Sequence, residues 1–238
     1  TLILSTPSTE FEHYLNSLVL LVLGVEGVTQ KGGGAVGGGP SSLEMSRDMV
    51  YDAQLGGDRQ IFSPFNARDP GPFDCRHWRI EAGITPEGHH FAVTAGLSDP
   101  ATTIAAPQSD PANLSGVGHE LVMLCDPATA AGQWHVGILA MMLREYGSSD
   151  RPFGNPDWID YQRPLVQGGT VEGFIIQEST WLESPFALAG GKQARFFALV
   201  GLTRVELDVV NTQKEPRRVL KLLKEQIGNV ELLDAFRS

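Results

Sequence analysis

The carboxylates Asp157 and Asp160 stand three residues apart in the turn-rich stretch SSDRPFGNPDWIDY, residues 148–161, and Glu145 lies just upstream. Two carboxylates in unlike surroundings are what general acid and base work requires, so a hydrolase or transferase using these loop acids is one reading. Acids around a turn equally describe a solvated loop. His119-Glu120 opens a zinc-type H-E-x-x-H, yet the second histidine position holds Met123. His89 and His90 are adjacent and would point to opposite faces of a strand, which makes them poor ligands for one ion. Residues 32–37, GGGAVG, satisfy the dinucleotide pattern G-x-G-x-x-G. Gln30 and Lys31 separate them from the apolar run ahead, however, and no repeated strand-helix-strand units follow, so these glycines read as a connector. A G-x-S-x-G nucleophile elbow, a phosphate-cradling G-x-x-x-x-G-K-[ST] and a recognisable Cys–His pair are all absent from the sequence. The residues therefore point to no catalytic set, no metal and no cofactor. Trp158 stands apart among the aromatics. It sits between Pro156, Asp157, Asp160 and Tyr161, in a loop where a bulky apolar ring is hard to bury, and such loops often recognise a partner.

That loop leaves a segment around which the chain is organised, Gly118 to Asp160. Leu121 to Cys125 is an apolar run closed by the turn formers Asp126 and Pro127, and it reads as a buried strand. From Trp134, the residues Ile138, Met141, Met142, Glu145 and Tyr146 recur at helical spacing, while Ala140 and Leu143 make the opposite face apolar too. The pattern predicts a helix covered on several sides and stopped by Gly147.

The flanking chain supplies the other layers. Thr9 and Glu12 form a capping box ahead of a helix over about 10–23, and the glycine-rich KGGGAVGGGPSS follows. Residues 46–74 read as loop with one short helix. Residues 77–85 and 90–97, joined by Pro86-Glu87-Gly88, alternate in character and predict a β-hairpin. Residues 98–117 read as a long surface connection. Strands are expected over 171–177 and 196–202, a helix capped by Thr203 and Glu206 to about 210, and a last helix from Pro216 to the stop at Gly228. Consecutive strands followed by strand-helix pairs define an α+β fold: a mixed, mainly antiparallel sheet packed by helices.

With 238 residues and 42% hydrophobic content the chain can build a real core. A net charge of −10 argues against nucleic acid or anionic lipid as partner and suits a basic protein surface. Of the two cysteines, Cys125 lies in an apolar run, so a structural disulfide is not expected. The longest apolar run, Leu18 to Val25, is broken at Gly24, too short for the ~20 residues of a membrane span. Preceded by Glu10 and Glu12, it also lacks the basic region of a secretory signal, so the cytoplasm is the expected compartment.

Four pieces of the sequence, HHFAVTAGLSD from His89, GHELVMLC from Gly118, QWHVGILAMMLREY from Gln133 and FFALVGLTRVELDVV from Phe196, resemble the suppressor of fused domain in order and spacing. The resemblance covers about residues 76–238, with residues 1–75 as a helix plus glycine-rich, loop-rich extension. It implies a non-enzymatic binding domain that grips a short extended peptide, with an acidic residue after the core helix pairing with a peptide histidine. Asp157 falls in the matching loop, and Tyr146 stands for the aromatic near the helix end. As a single domain, the chain resembles the stand-alone bacterial members, which are proposed as immunity proteins that neutralise toxins. The expected partner-binding residues are thus Tyr146, Asp157, Trp158, Asp160 and Tyr161, facing a protein or extended peptide with a basic surface. A scaffold that binds a peptide by strand addition at a sheet edge is a further alternative.

Overall fold

Alternation along the second half of one long strand, β5 (Leu114–Cys125), decides how the layers are arranged. Leu121, Met123 and Cys125 point to one face of the sheet, Val122 and Leu124 to the other, and all five are at most 3% exposed. A strand buried on both faces needs helices above and below it. The computed structural model describes residues 2–3, 42–56, 58–65, 77–99, 102, 114–130, 133–148 and 153–237. The helix expected over 10–23 and the glycine-rich segment lie outside these.

Among the described residues the strands form one sheet in the order β1 (Leu2–Ile3), β6 (Trp158–Asp160), β7 (Val171–Glu178), β9 (Gln193–Thr203), β5, β4 (His90–Ala95), β3 (Arg79–Ile84) and β2 (Gln60–Phe62). Two short strands sit off this path, β8 (Phe186–Ala187) beside β9 and β10 (Leu232–Leu233) beside β5. The β5–β9, β5–β10 and β1–β6 pairs are parallel and the rest antiparallel, so the sheet is mixed and mainly antiparallel, and the fold is α+β.

Helix α2 (Trp134–Ser148) covers one face, burying Ile138, Leu139, Met142 and Leu143 against Ile80, Leu121 and Phe174. Each such side chain contributes about 1.5–3 kcal/mol by leaving water. The opposite face is shared. Helix α1 (Ser42–Leu55) packs Tyr51 and Leu55 on Phe91, Val93 and Phe196, while α3 (Arg204–Gln213) and α4 (Pro216–Ile227) pack Leu207, Val210, Val219 and Leu223 on Ile175, Val200 and Leu202. Thr203 and Glu206 form the expected capping box, and Gly228 ends α4.

Three boundaries differ from the sequence reading. Helix α1 runs 14 residues from Ser42, longer and earlier than the one short helix expected over 46–74, because Tyr51 and Leu55 find an apolar surface made by strands remote in sequence. Strand β5 begins at Leu114, not Leu121, and a register shift between Leu114 and His119 absorbs its glycines. Gly116 has φ +58°, and a Cβ there would press into the carbonyls of Leu97 and Asp99, so the strand passes this turn only with glycine. The third difference is β6, which occupies three residues of the stretch read as loop.

The Gly96–Asp99 turn is locked to β5 by Glu120, which is fully buried. Its carboxylate accepts from the Thr94 hydroxyl at 2.7 Å, the amides of Gly96 and Ser98 at 3.0 and 2.9 Å, and the Ser98 hydroxyl at 2.6 Å. Two of the sequence pieces that carry the family resemblance are therefore partners in one buried hydrogen-bond cage.

Candidate functional site

Tyr146 closes α2 from inside the core at 1% exposure. Its hydroxyl lies 2.5 Å from Nε2 of His119 and accepts the Phe153 amide at 3.1 Å, and the Phe153 ring meets the tyrosine edge-on at 4.7 Å. Burial pushes the His119 imidazole down to about 3, against a hydrogen bond to the Val117 backbone that works the other way, and the ring stacks on Phe197 at 4.4 Å. A neutral imidazole accepting from a tyrosine is a fixed joint. It holds the start of the loop.

From Phe153 the chain makes a closed turn: the Gly154 amide donates to Oδ2 of Asp157 at 2.7 Å and the Asp157 amide donates back to the Gly154 carbonyl at 2.8 Å. The Asp157 carbonyl then accepts the Ile176 amide at 2.8 Å, which attaches the turn to β7. Asp157 is half-buried, at the head of β6.

Beyond Asp157 the side chains alternate. Trp158 and Asp160 face α3 and α4; Ile159 and Tyr161 face the α2 side. The sequence reading expected a Trp158 ring that is hard to bury, but it is 9% exposed. Its indole N–H donates to Oδ1 of Asn211 at 2.9 Å, and the Lys214 ammonium lies 5.5 Å from the ring centroid. The physical reason is that residues 158–160 pair with β7 as a strand, which turns every second side chain into a layer that α3 and α4 cover.

Asp160, 5% exposed, accepts from Nη2 of Arg204 at 2.6 Å, Nη1 at 3.0 Å, Nδ2 of Asn211 at 2.7 Å and the Gln162 amide at 2.8 Å. Burial alone would raise its pKa, but the Arg204 and Gln162 bonds outweigh it and hold the carboxyl below the usual range. Tyr161 is buried with its ring edge-on to Phe174 at 6.2 Å, and its hydroxyl finds no partner among the described residues. The five expected residues thus fall into two groups on opposite faces: Tyr146 with Tyr161 below the sheet, Trp158 with Asp160 above it, and Asp157 at the junction. Asp160 is committed to Arg204 and Asn211, so it does not act with Asp157 as a free pair of carboxylates. Among the described residues no three His, Cys, Asp or Glu side chains converge as metal ligands. No helix among them is long and apolar enough to cross a membrane.

Sequence reading missed Arg204, Asn211 and Lys214. The capping box placed the start of α3 correctly, but a pairing between residues 44 apart leaves no local signal.

Residues 75–238 match the sequence profile of the Suppressor of fused protein (SUFU) family, and the chain belongs to that family. Among solved structures it is similar to a chain of the Sufu–Fu complex, with TM-score 0.61 and 16% identity over 84% of this chain and 91% of that one. A SUFU homolog from Neisseria gonorrhoeae FA 1090 gives TM-score 0.58 and 16% identity over 82% of this chain and 95% of the other. Drosophila Suppressor of Fused gives TM-score 0.53 and 15% identity over 83% of this chain but 50% of that longer one. At these identities the likeness is one of fold. No curated protein matches the chain.

Proposed function

We propose that this chain is a non-enzymatic protein-binding domain that grips an extended segment of a partner at the unit Phe153–Tyr161. The observation that carries the reading is the construction of Asp157. It is partly accessible, set on a turn tied to α2 through Tyr146 and to β7 through Ile176, at the head of a strand whose outer edge bears only the two-residue β1 among the described residues. An extended partner segment would pair with this edge in place of the two-residue β1, and the carboxylate beside it reads a basic or histidine side chain. Asp157 is then the charge contact, while Tyr146 and Tyr161 on one face of the sheet and Trp158 and Asp160 on the other hold the turn and strand in shape. The Sufu–Fu complex supports a protein partner by family likeness.

In the finer reading the partner is a toxin with a basic surface, neutralised in the cytoplasm by this chain as its immunity protein. A net charge of −10 supports a basic partner over nucleic acid. Catalysis by the loop acids has less support, because Asp160 is already neutralised by Arg204.

The test is to identify proteins that co-purify with the chain and to titrate the bound one by calorimetry into native protein and Asp157→Asn. A loss of about 1.5–3 kcal/mol, as for a charge-assisted bond, is expected. Equal affinity for both proteins refutes the assignment of Asp157.

A further inference from the structure

The segment Lys214–Glu225 carries five cations and two carboxylates, a local charge of +3 in a chain of −10. All five cations are exposed. Arg218 meets Glu215 at 3.5 Å, a solvent-facing contact of little consequence, and Arg217, Lys221 and Lys224 make no ion pair with any described residue. Helical geometry puts these three at i, i+4 and i+7, one stripe rising ~6 Å and then ~4.5 Å.

The stripe borders a groove. Pro156 and Trp158 line it together with Lys214, Glu215, Pro216, Arg217 and Arg218, around an open volume of about 510 Å³; the one carboxylate in the lining, Glu215, is paired with Arg218. Lys214 lies over the largely buried Trp158 ring, so the groove sets a cation beside Pro156 and the small part of Trp158 that reaches the surface. An extended peptide repeats its side chains on one face every ~6.6 Å, which matches the first step of the stripe, from Arg217 to Lys221, while the long, flexible Lys224 side chain spans the shorter second step.

We infer that the α4 stripe and the groove at Pro156 form a docking surface for an acidic extended peptide, with Asp or Glu side chains on Arg217, Lys221 and Lys224 and an apolar residue against Pro156. This surface has the opposite sign to the one that the whole-chain charge suggests, and it requires nothing of Asp157. A partner carrying both a basic and an acidic stretch would engage both surfaces at once.

The probe is a fluorescent 12-residue peptide with alternating Glu and a central Leu, titrated by anisotropy at about 50 mM salt, where the Debye length is ~14 Å. Native protein binds it, and the double variant Arg217→Glu/Lys221→Glu, altered only at exposed positions, binds at least about tenfold more weakly with an unchanged melting temperature. Raising the salt to about 300 mM weakens binding several-fold. The same peptide with Lys for Glu does not bind. Undetectable binding of the acidic peptide, equal binding of the lysine peptide, or an affinity untouched by charge reversal overturns the proposal. Single-stranded DNA of equal charge binding as tightly overturns the peptide assignment in favour of a general polyanion surface.

Discussion

Arg204 and Asp160, 44 residues apart, meet through two hydrogen bonds of 2.6 and 3.0 Å, and that pair fixes strand β6, next to the sheet edge, to helix α3. Asp160 is nearly buried whereas the Arg204 side chain is 36% exposed, so the pair is worth less than a fully buried one. Arg204→Met leaves the carboxylate without its cation and is expected to cost about 2 kcal/mol in urea unfolding at neutral pH. The sign with pH follows from the lowered folded pKa of Asp160. Its contribution is present above the unfolded value of about 3.9 and is lost as pH falls through the folded one, so the native and Arg204→Met curves converge only in strong acid.

Trp158 fills the layer between β6 and α3, so Trp158→Ala should cost about 3–5 kcal/mol as a large cavity-forming change. Trp158→Phe keeps most of the ring and loses the bond to Asn211, and about 1–2 kcal/mol is expected. Denaturant midpoints check both. An alanine variant as stable as the native protein would place the ring in solvent.

Two buried histidines are expected to weaken the fold in acid. Burial holds His119 down to about 3 and His135, with His90 adding to the effect, to about 4. Both would regain ordinary values near 6.5 on unfolding. The unfolded chain therefore binds more protons below that value, and stability falls by up to about 1.4 kcal/mol per pH unit per histidine from pH 6.5 downward. The loss ends near the folded pKa of each. Nδ1 of His135 has no hydrogen-bond partner among the described residues, so His135→Leu removes a buried polar atom at little cost. The variant should be at least as stable at pH 7 and lose less between pH 6.5 and 4.5, measured by thermal melts. An unchanged pH slope would contradict the account.

The central unit was legible because its signals are local. The apolar run Leu121–Cys125, the helical spacing from Ile138 to Tyr146 and the capping box at Thr203 each decide a structure from neighbours alone. What stayed hidden depends on remote partners. Trp158 looked exposed because Pro156, Asp157 and Asp160 surround it in sequence, yet pairing with Ile175 makes it a strand residue and Asn211 satisfies its N–H. Helix α1 was shortened in the reading because its anchoring surface, Phe91, Val93 and Phe196, is assembled from two strands. Glu120 and Ser98 were read as motif letters; only the fold reveals them as one cage.

Whether the Phe153–Tyr161 unit is the gripping surface is tested most directly by amide hydrogen exchange on the native protein, alone and saturated with its co-purified partner. Added strand pairing slows the amides it engages, so slower exchange is expected at Trp158 and Asp160, the positions of β6 turned away from β7, with the α2 core unchanged, and loss of that protection together with affinity in Asp157→Asn. Protection confined to the opposite sheet edge at Gln60–Phe62, with β6 exchanging as in the free protein, would contradict it.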